Sequence, residues 1–207
     1  MPLTVTIRPA APADGEAAIP LILSSGPQAF DYVFTLAGGI HVRDFLRQAF
    51  LDGAGEFGWR NHTVAAVDGK VVGVGACYGS DRNFAFLAAG ARQIVSAYGL
   101  RAPGVMVRGL RTEAVIRPPA TGEWTLVHLG VYPALRSRGI GRRIIEDFLV
   151  RGKAAGAKKA VLDVAVTNPR AQALYEGLGF SLEAERLSAL HNAVSKVPAH
   201  LRMSRAL

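Results

Sequence analysis

Leu126-Val127-His128-Leu129-Gly130-Val131, a turn at Pro133, Arg136-Ser137-Arg138-Gly139-Ile140-Gly141, then Arg142-Arg143-Ile144-Ile145-Glu146-Asp147-Phe148-Leu149-Val150: this stretch decides the fold. The first run is apolar and strand-like, and the last carries its apolar residues at helical spacing. A basic, glycine-containing loop therefore joins a strand to the start of a helix. The first turn of a helix has backbone N–H groups without intrahelical partners, and its dipole favours negative charge. Gly139 and Gly141 let a phosphate approach that backbone closely, while Arg136, Arg138 and Arg142 supply forked cationic donors. By pattern, the amides from Ser137 through Ile140 to Arg142 form a pyrophosphate cradle. Turn geometry alone accounts for the two glycines equally well.

A second element follows. Ala160-Val161-Leu162-Asp163-Val164-Ala165-Val166 is rich in β-branched residues and reads as a buried strand. Asn168 suits a helix cap and Pro169 the first helical position. Gly177 and Gly179 suit the end of that helix, and Phe180–Glu185 reads as another strand. With both elements in order, the chain resembles the GCN5-related N-acetyltransferase (GNAT) superfamily. The acyl-CoA motif of that superfamily stands here as Arg136-x-x-Gly139-x-Gly141. Its later Asn-x-x-Ala-x-x-Leu-Tyr-x-x-x-Gly-Phe element stands as Asn168, Ala171, Leu174, Tyr175, Gly179 and Phe180. The close resemblance covers roughly residues 124–186 and thins toward the N-terminal half.

The resemblance implies an α/β (α+β) fold with a mixed, mostly antiparallel central sheet of about six to seven strands flanked by helices. It also implies acetyl-CoA as co-substrate, without a metal, and an amine acceptor that is a small molecule or a peptide. A homodimer is compatible with it. Members of the superfamily acetylate antibiotics, polyamines, amino acids, small amines and protein N-termini or lysines, and the sequence does not choose among them.

Composition sets outer bounds. The 207 residues suit one domain spanning 1–207, with half of them hydrophobic. The single cysteine, Cys77, excludes an intramolecular disulfide and suits a reducing compartment. Residues Met1–Pro9 lack the apolar core of a signal peptide, and no run reaches the length of a membrane span, so the expectation is a cytoplasmic protein with no membrane association. The net charge is +8, and eight basic residues against two acidic ones fall between Arg136 and Lys159. That patch lacks interleaved aromatics for base stacking and coincides with the phosphate loop, so nucleic acid ranks below CoA as its partner.

Along the rest of the chain, Val5–Ile7 reads as a strand, and Asp14–Ser24 and Ile40–Leu51 as helices. His62–Val67 and Lys70–Tyr78 read as a hairpin about Asp68-Gly69, and Glu123–Val131 as the next strand. Residues 79–122 form an insertion of about forty residues where a hairpin loop has 2–5. It contains a helical pattern over Phe84–Tyr98 and four arginines at 101, 108, 111 and 117. Two readings stand: a surface decoration, or a wall over the acceptor site whose arginines favour an acceptor with a carboxylate or phosphate.

For the chemistry, the resemblance assigns Tyr175 as proton donor to the leaving thiolate, although Ala171, Leu174, Tyr175 and Leu178 also share one helix face as core residues would. Leu129, Gly130 and Val131 would present backbone donors to the thioester and pantetheine, and Asn168 and Ala171 would border the pantetheine arm. Three residues are candidates for the general base: Asp163 and His128, which interrupt apolar strands, and Glu123 at a strand start. His41, His62, His191 and His200 show no paired ligand spacing. Phe30, Tyr32, Phe34 and Trp59 fall where the superfamily often builds acceptor pockets, though core packing also explains them. The alternatives are a non-catalytic acyl-CoA sensor of the same fold and, lower, a dinucleotide-binding oxidoreductase. In the latter Ile144 stands where the third glycine belongs.

Overall fold

The Asp68-Gly69 pair makes the tight turn its sequence implies, with both residues at positive φ (49° and 76°). It joins strand β2 (His62–Val67) to β3 (Lys70–Gly79). In the computed structural model, which describes residues 4–207, these two strands sit inside a seven-stranded sheet. The other members are β1 (Val5–Pro9), β4 (Glu123–Val131), β5 (Lys159–Ala165), β6 (Ser181–Arg186) and β7 (His200–Ala206). The order is β1-β2-β3-β4-β5-β7-β6. Every neighbouring pair is antiparallel except β4 with β5. The mixed, mostly antiparallel sheet expected from the sequence is the one observed.

Helices cover both faces. On one lie α1 (Gly15–Ser24), α2 (Pro27–Phe34), α3 (Val42–Asp52), α4 (Asn83–Tyr98) and α5 (Ala102–Thr112). Phe45, Phe50, Leu46 and Ile22 fill this layer and meet Val64 and Val74 of the sheet. On the other lie α6 (Ile140–Ala154) and α7 (Pro169–Glu176). There Phe148, Ile144 and Ile145 pack on Ala65, Leu126, Leu162 and Met203. Consecutive Val64 and Ala65 serve opposite cores, as the two-residue period of a strand requires.

Three elements differ from the sequence reading. Helix α2 begins at Pro27 and buries Phe30, Tyr32, Val33 and Phe34; its short run of aromatics carries too few turns to show a helical period. Helix α5 holds Pro103, Gly104 and Gly109, poor helix formers, and tertiary packing overrides that propensity. Strand β7 escapes notice because its buried face includes His200 and Arg202. The insertion packs on the rest of the domain. Tyr98, Ala102, Val105 and Val115 are buried, and the Tyr98 hydroxyl donates to the Phe34 carbonyl at 2.6 Å.

Candidate active site

Strands β4 and β5 pair only over Glu123–Thr125 with Lys159–Val161. Beyond Thr125 they part, so the β5-facing edge of Leu126–Val131 has no strand partner among the described residues. Backbone polar groups away from water need partners, so an open fork of this kind suits a ligand with amide-like groups. The parting has a local cause. Between Val127↔Ala76 and Val74↔Gly130 the register against β3 shifts by one residue. That bulge places His128 at φ 57°, a left-handed conformation unusual for a residue with a Cβ. It brings His128 to the wall of a groove of about 1130 Å³ that runs along the fork. Gly130 is required nearby, since a Cβ there would collide with the Leu21 carbonyl of α1.

At one end of the groove lies the basic loop. Ser137 and Gly139 both have positive φ (60° and 80°), which curls the chain into the first turn of α6. The consecutive amides from Ser137 to Arg142 donate to no protein group. A Cβ built on Gly139 meets nothing within 4 Å, so the space above the loop is open. Arg136 donates to the Val131 carbonyl at 3.1 Å, and Arg170 donates to the Ser137 hydroxyl at 2.9 Å. Both line the groove with Arg142, whereas Arg138 does not. Open amides, a helix N-terminus and three arginines fit a pyrophosphate, and the unpaired β4 edge at Leu129, Gly130 and Val131 fits the amides of a pantetheine arm.

Helix α7 closes the same side. Asn168 caps it, accepting the Ala171 N–H on Oδ1 at 3.2 Å. Asn168, Ala171 and Tyr175 line the groove. The Tyr175 ring meets Phe180 edge-on at 6.1 Å, and burial pushes its hydroxyl up to about 12, so it stays protonated at neutral pH. The side chain is thus both a core residue and a groove wall, and its two sequence readings are compatible.

The comparisons with known proteins give the family. A sequence model of the acetyltransferase (GNAT) family matches residues 34–180. The chain belongs to that family. Among solved structures it is similar to an N-acetyltransferase from Staphylococcus aureus Mu50, at 18% identity over 97% of this chain and 100% of that one, with a TM-score of 0.66. It is also similar to a polyamine N-acetyltransferase from Drosophila melanogaster (19% identity, 99% and 100% of the two chains, TM-score 0.60). A GCN5-related N-acetyltransferase from Kribbella flavida is a third (20% identity, 98% of each chain, TM-score 0.58). At these identities the likeness is one of fold. No curated protein matches the chain in sequence.

The far end of the groove in this GNAT protein holds a chain of side chains that the sequence did not reveal: two buried imidazoles ending at Glu56, whose side chain is a third exposed. His62 Nδ1 lies 2.9 Å from the Gly58 carbonyl, and its Nε2 lies 3.1 Å from His128 Nδ1. His128 Nε2 in turn lies 3.5 Å from Glu56 Oε1. The carbonyl can only accept, so His62 carries its proton on Nδ1 and leaves Nε2 as an acceptor. His128 must then donate from Nδ1, and its Nε2 lone pair faces Glu56. Both imidazoles are neutral. Burial lowers His62 to about 4, and burial together with His62 lowers His128 well below its ordinary value. Burial raises Glu56 to about 7, with Glu113 adding to the rise and the Tyr78 hydroxyl opposing it. One proton therefore fits between Glu56 and His128. Glu56 precedes Phe57 in the loop between α3 and β2, where no apolar strand or motif marks it.

Asp163 and Glu123 occupy a different network. Arg202, 5% exposed, donates to Asp163 Oδ2 at 2.6 Å and to Glu123 Oε2 at 2.8 Å. Lys159 adds a 3.0 Å contact to Glu123. Burial raises the Asp163 carboxyl against the pull of Arg202, while the Ala120 N–H, Lys159 and Arg202 hold Glu123 low against its own burial. Asp163 borders the groove and Glu123 does not. The three residues belong to β5, β4 and β7, and they lock these strands where β4 and β5 still pair. Arg202→Leu leaves the buried Asp163 carboxylate without its ion-pair partner and Glu123 with Lys159 alone. It should cost about 3–5 kcal/mol in denaturant unfolding; a change below about 1 kcal/mol would show that the lock carries little.

Proposed function

We propose that this protein transfers an acetyl group from acetyl-CoA directly to an amine held in the same groove. Glu56 and His128 together receive the amine's proton, and Tyr175 donates a hydrogen bond to the departing sulfur. One observation carries the reading: a continuous groove joins the unpartnered amides of Ser137–Arg142 to the Glu56–His128 pair. Acetyl-CoA supplies the activated acyl group as a thioester. Its pyrophosphate fits the loop amides with Arg136, Arg142 and Arg170, and its pantetheine arm fits the open β4 edge and the Asn168–Ala171 turn.

The chain's own groups then answer three needs. A lysine-like amine has a pKa of about 10.4, so freeing its lone pair at pH 7 costs roughly 4–5 kcal/mol. Glu56, raised to about 7, takes that proton more readily than an ordinary carboxylate, and the His128 Nε2 lone pair shares it. The Val131 N–H, which alternates away from β3, faces the fork, where the acyl carbonyl gains charge. Tyr175, at about 12, does not give its proton up outright to a sulfur with a thiol pKa of about 8.5, a transfer uphill by roughly 5 kcal/mol. It acts by hydrogen bonding to the developing thiolate. Asp163 and Glu123, both held by Arg202, serve the sheet.

The test is thiol release from acetyl-CoA with and without amines, alongside calorimetric titration of acetyl-CoA. Tyr175→Phe should bind acetyl-CoA as the parent does and lower kcat about tenfold to a hundredfold, the worth of one hydrogen bond to a charged group. Tight acetyl-CoA binding with no amine-dependent thiol release would identify an acyl-CoA sensor instead.

A further inference from the structure

The acceptor end of the groove has a chemistry that the arginines of the insertion do not set. Arg108 donates from Nε and Nη2 to the Val33 carbonyl (3.0 and 2.8 Å), and neither Arg101, Arg108 nor Arg111 borders the groove. Only Arg117 does, and the groove also carries Glu113, whose charge acts on Glu56. The walls around Glu56 are instead apolar: Phe30 of α2, Phe57 beside Glu56 itself, Phe84 and Leu87 of α4, and Met106 and Leu110 of α5. Some of the nearby polar side chains are engaged, while the buried Asn83 Oδ1 has no partner. The Thr112 hydroxyl donates to the Arg108 carbonyl, and the Asn83 amide nitrogen to the Pro119 carbonyl.

The outer part of this wall is open. Phe84, Leu87 and Leu110 are 83%, 58% and 57% exposed, and all three line the groove. Large apolar side chains held at a groove mouth, leading inward to Glu56 with Glu113 nearby, mark a place for an apolar body ending in an amine. We infer that the acceptor is a primary monoamine on an extended apolar body, an arylalkyl or alkyl amine, whose nitrogen meets Glu56 and His128 and whose body lies between α2, α4 and α5. The inference rests on the acetyltransferase reading of the same groove. A polyamine or guanidino amine long enough to pass Glu113 and reach the mouth would carry its second cation against Phe84, Leu87 and Leu110, and a lysyl peptide would bring backbone groups there.

The test measures kcat/KM by thiol release for 2-phenylethylamine, a series of n-alkylamines, spermidine, agmatine and a lysyl peptide. Phenylethylamine and the longer alkylamines should exceed the polycations and the peptide by tenfold or more. Within the alkyl series, kcat/KM should rise about fourfold per added methylene until the chain reaches solvent. A Phe84→Ser, Leu110→Ser double variant changes exposed positions only. It should lower kcat/KM for the apolar amines at least tenfold with the acetyl-CoA dissociation constant unchanged. Equal or faster turnover of spermidine, agmatine or the peptide overturns the inference while leaving the acetyltransferase reading intact. A flat alkyl series also overturns it. No thiol release with any amine, despite acetyl-CoA binding, overturns both.

Discussion

Glu56→Gln should lower kcat by about a hundredfold to ten-thousandfold, the usual worth of a positioned proton acceptor. The substitution keeps shape and size, and the new amide can donate to His128 Nε2, which removes the opposition of lone pairs at 3.5 Å. Acetyl-CoA affinity should therefore hold while turnover falls. The pH dependence separates a proton acceptor from a packing residue. In the parent, kcat/KM should rise with an apparent pKa near 7, a value that belongs to the Glu56–His128 pair, and the variant should lack that limb. Stability offers an independent readout. Glu56 lies at about 7 folded against an ordinary 4.5, so the folded state binds the extra proton between those values. Buried, neutral His62 and His128 make both proteins gain stability as pH rises over this range, so the readout is the difference: the parent should lose stability relative to the variant between pH 4.5 and 7. Parent-like turnover in Glu56→Gln would remove this residue from the mechanism.

Gly139→Asp should weaken acetyl-CoA binding a hundredfold or more. A Cβ at this position meets nothing within 4 Å, so the effect cannot come from collision with the protein. The φ of 80° is one that Asp and Asn tolerate better than other residues with side chains, which limits the strain. What remains is a carboxylate placed among the amides of Ser137–Arg142, where the pyrophosphate needs them. Gly139→Asn isolates the charge: it keeps the size and the backbone tolerance, and it should bind within about tenfold of the parent. The gap between the two variants should narrow with added salt. Equal affinities for both would place the phosphates elsewhere.

The proposed coenzyme end of the groove was legible where its determinants are local. Two glycines, Arg136, Arg142 and an Asn-Pro cap act through turn geometry and helix termini, which short windows of sequence contain; Arg170, which lines the groove where Arg138 does not, carries no such local mark. The hairpin about Asp68-Gly69 was legible for the same reason. The proton-handling end was not, because its parts are far apart in sequence. Glu56 arrives from a loop, His62 from the start of β2 and His128 from a bulge in β4, and only folding brings the two imidazoles to 3.1 Å. His128 stood out as a polar break in an apolar strand, yet so did Asp163. What separates them is Arg202, whose strand has a buried face that looks polar in sequence because its neutralising carboxylates lie on β4 and β5. The arginines of the insertion misled in the opposite way: charge count cannot say which side of a helix meets solvent.

The order of the strands bears on how this molecule reaches its native state. In the chain β6 comes before β7, but in the sheet β7 lies between β5 and β6. During synthesis β6 emerges with no docking edge of its own, because its only neighbour, His200–Ala206, follows it. Until then β5 has a bare edge, and Asp163 awaits its guanidinium. Assembly order and synthesis order are thus inverted over this third of the sheet. Arrival of β7 captures both flanking strands in one step, making a late, long-range event that closes the sheet and completes its charge balance together. A nascent chain paused before that event exposes a strand edge of the kind that invites mispairing or chaperone capture.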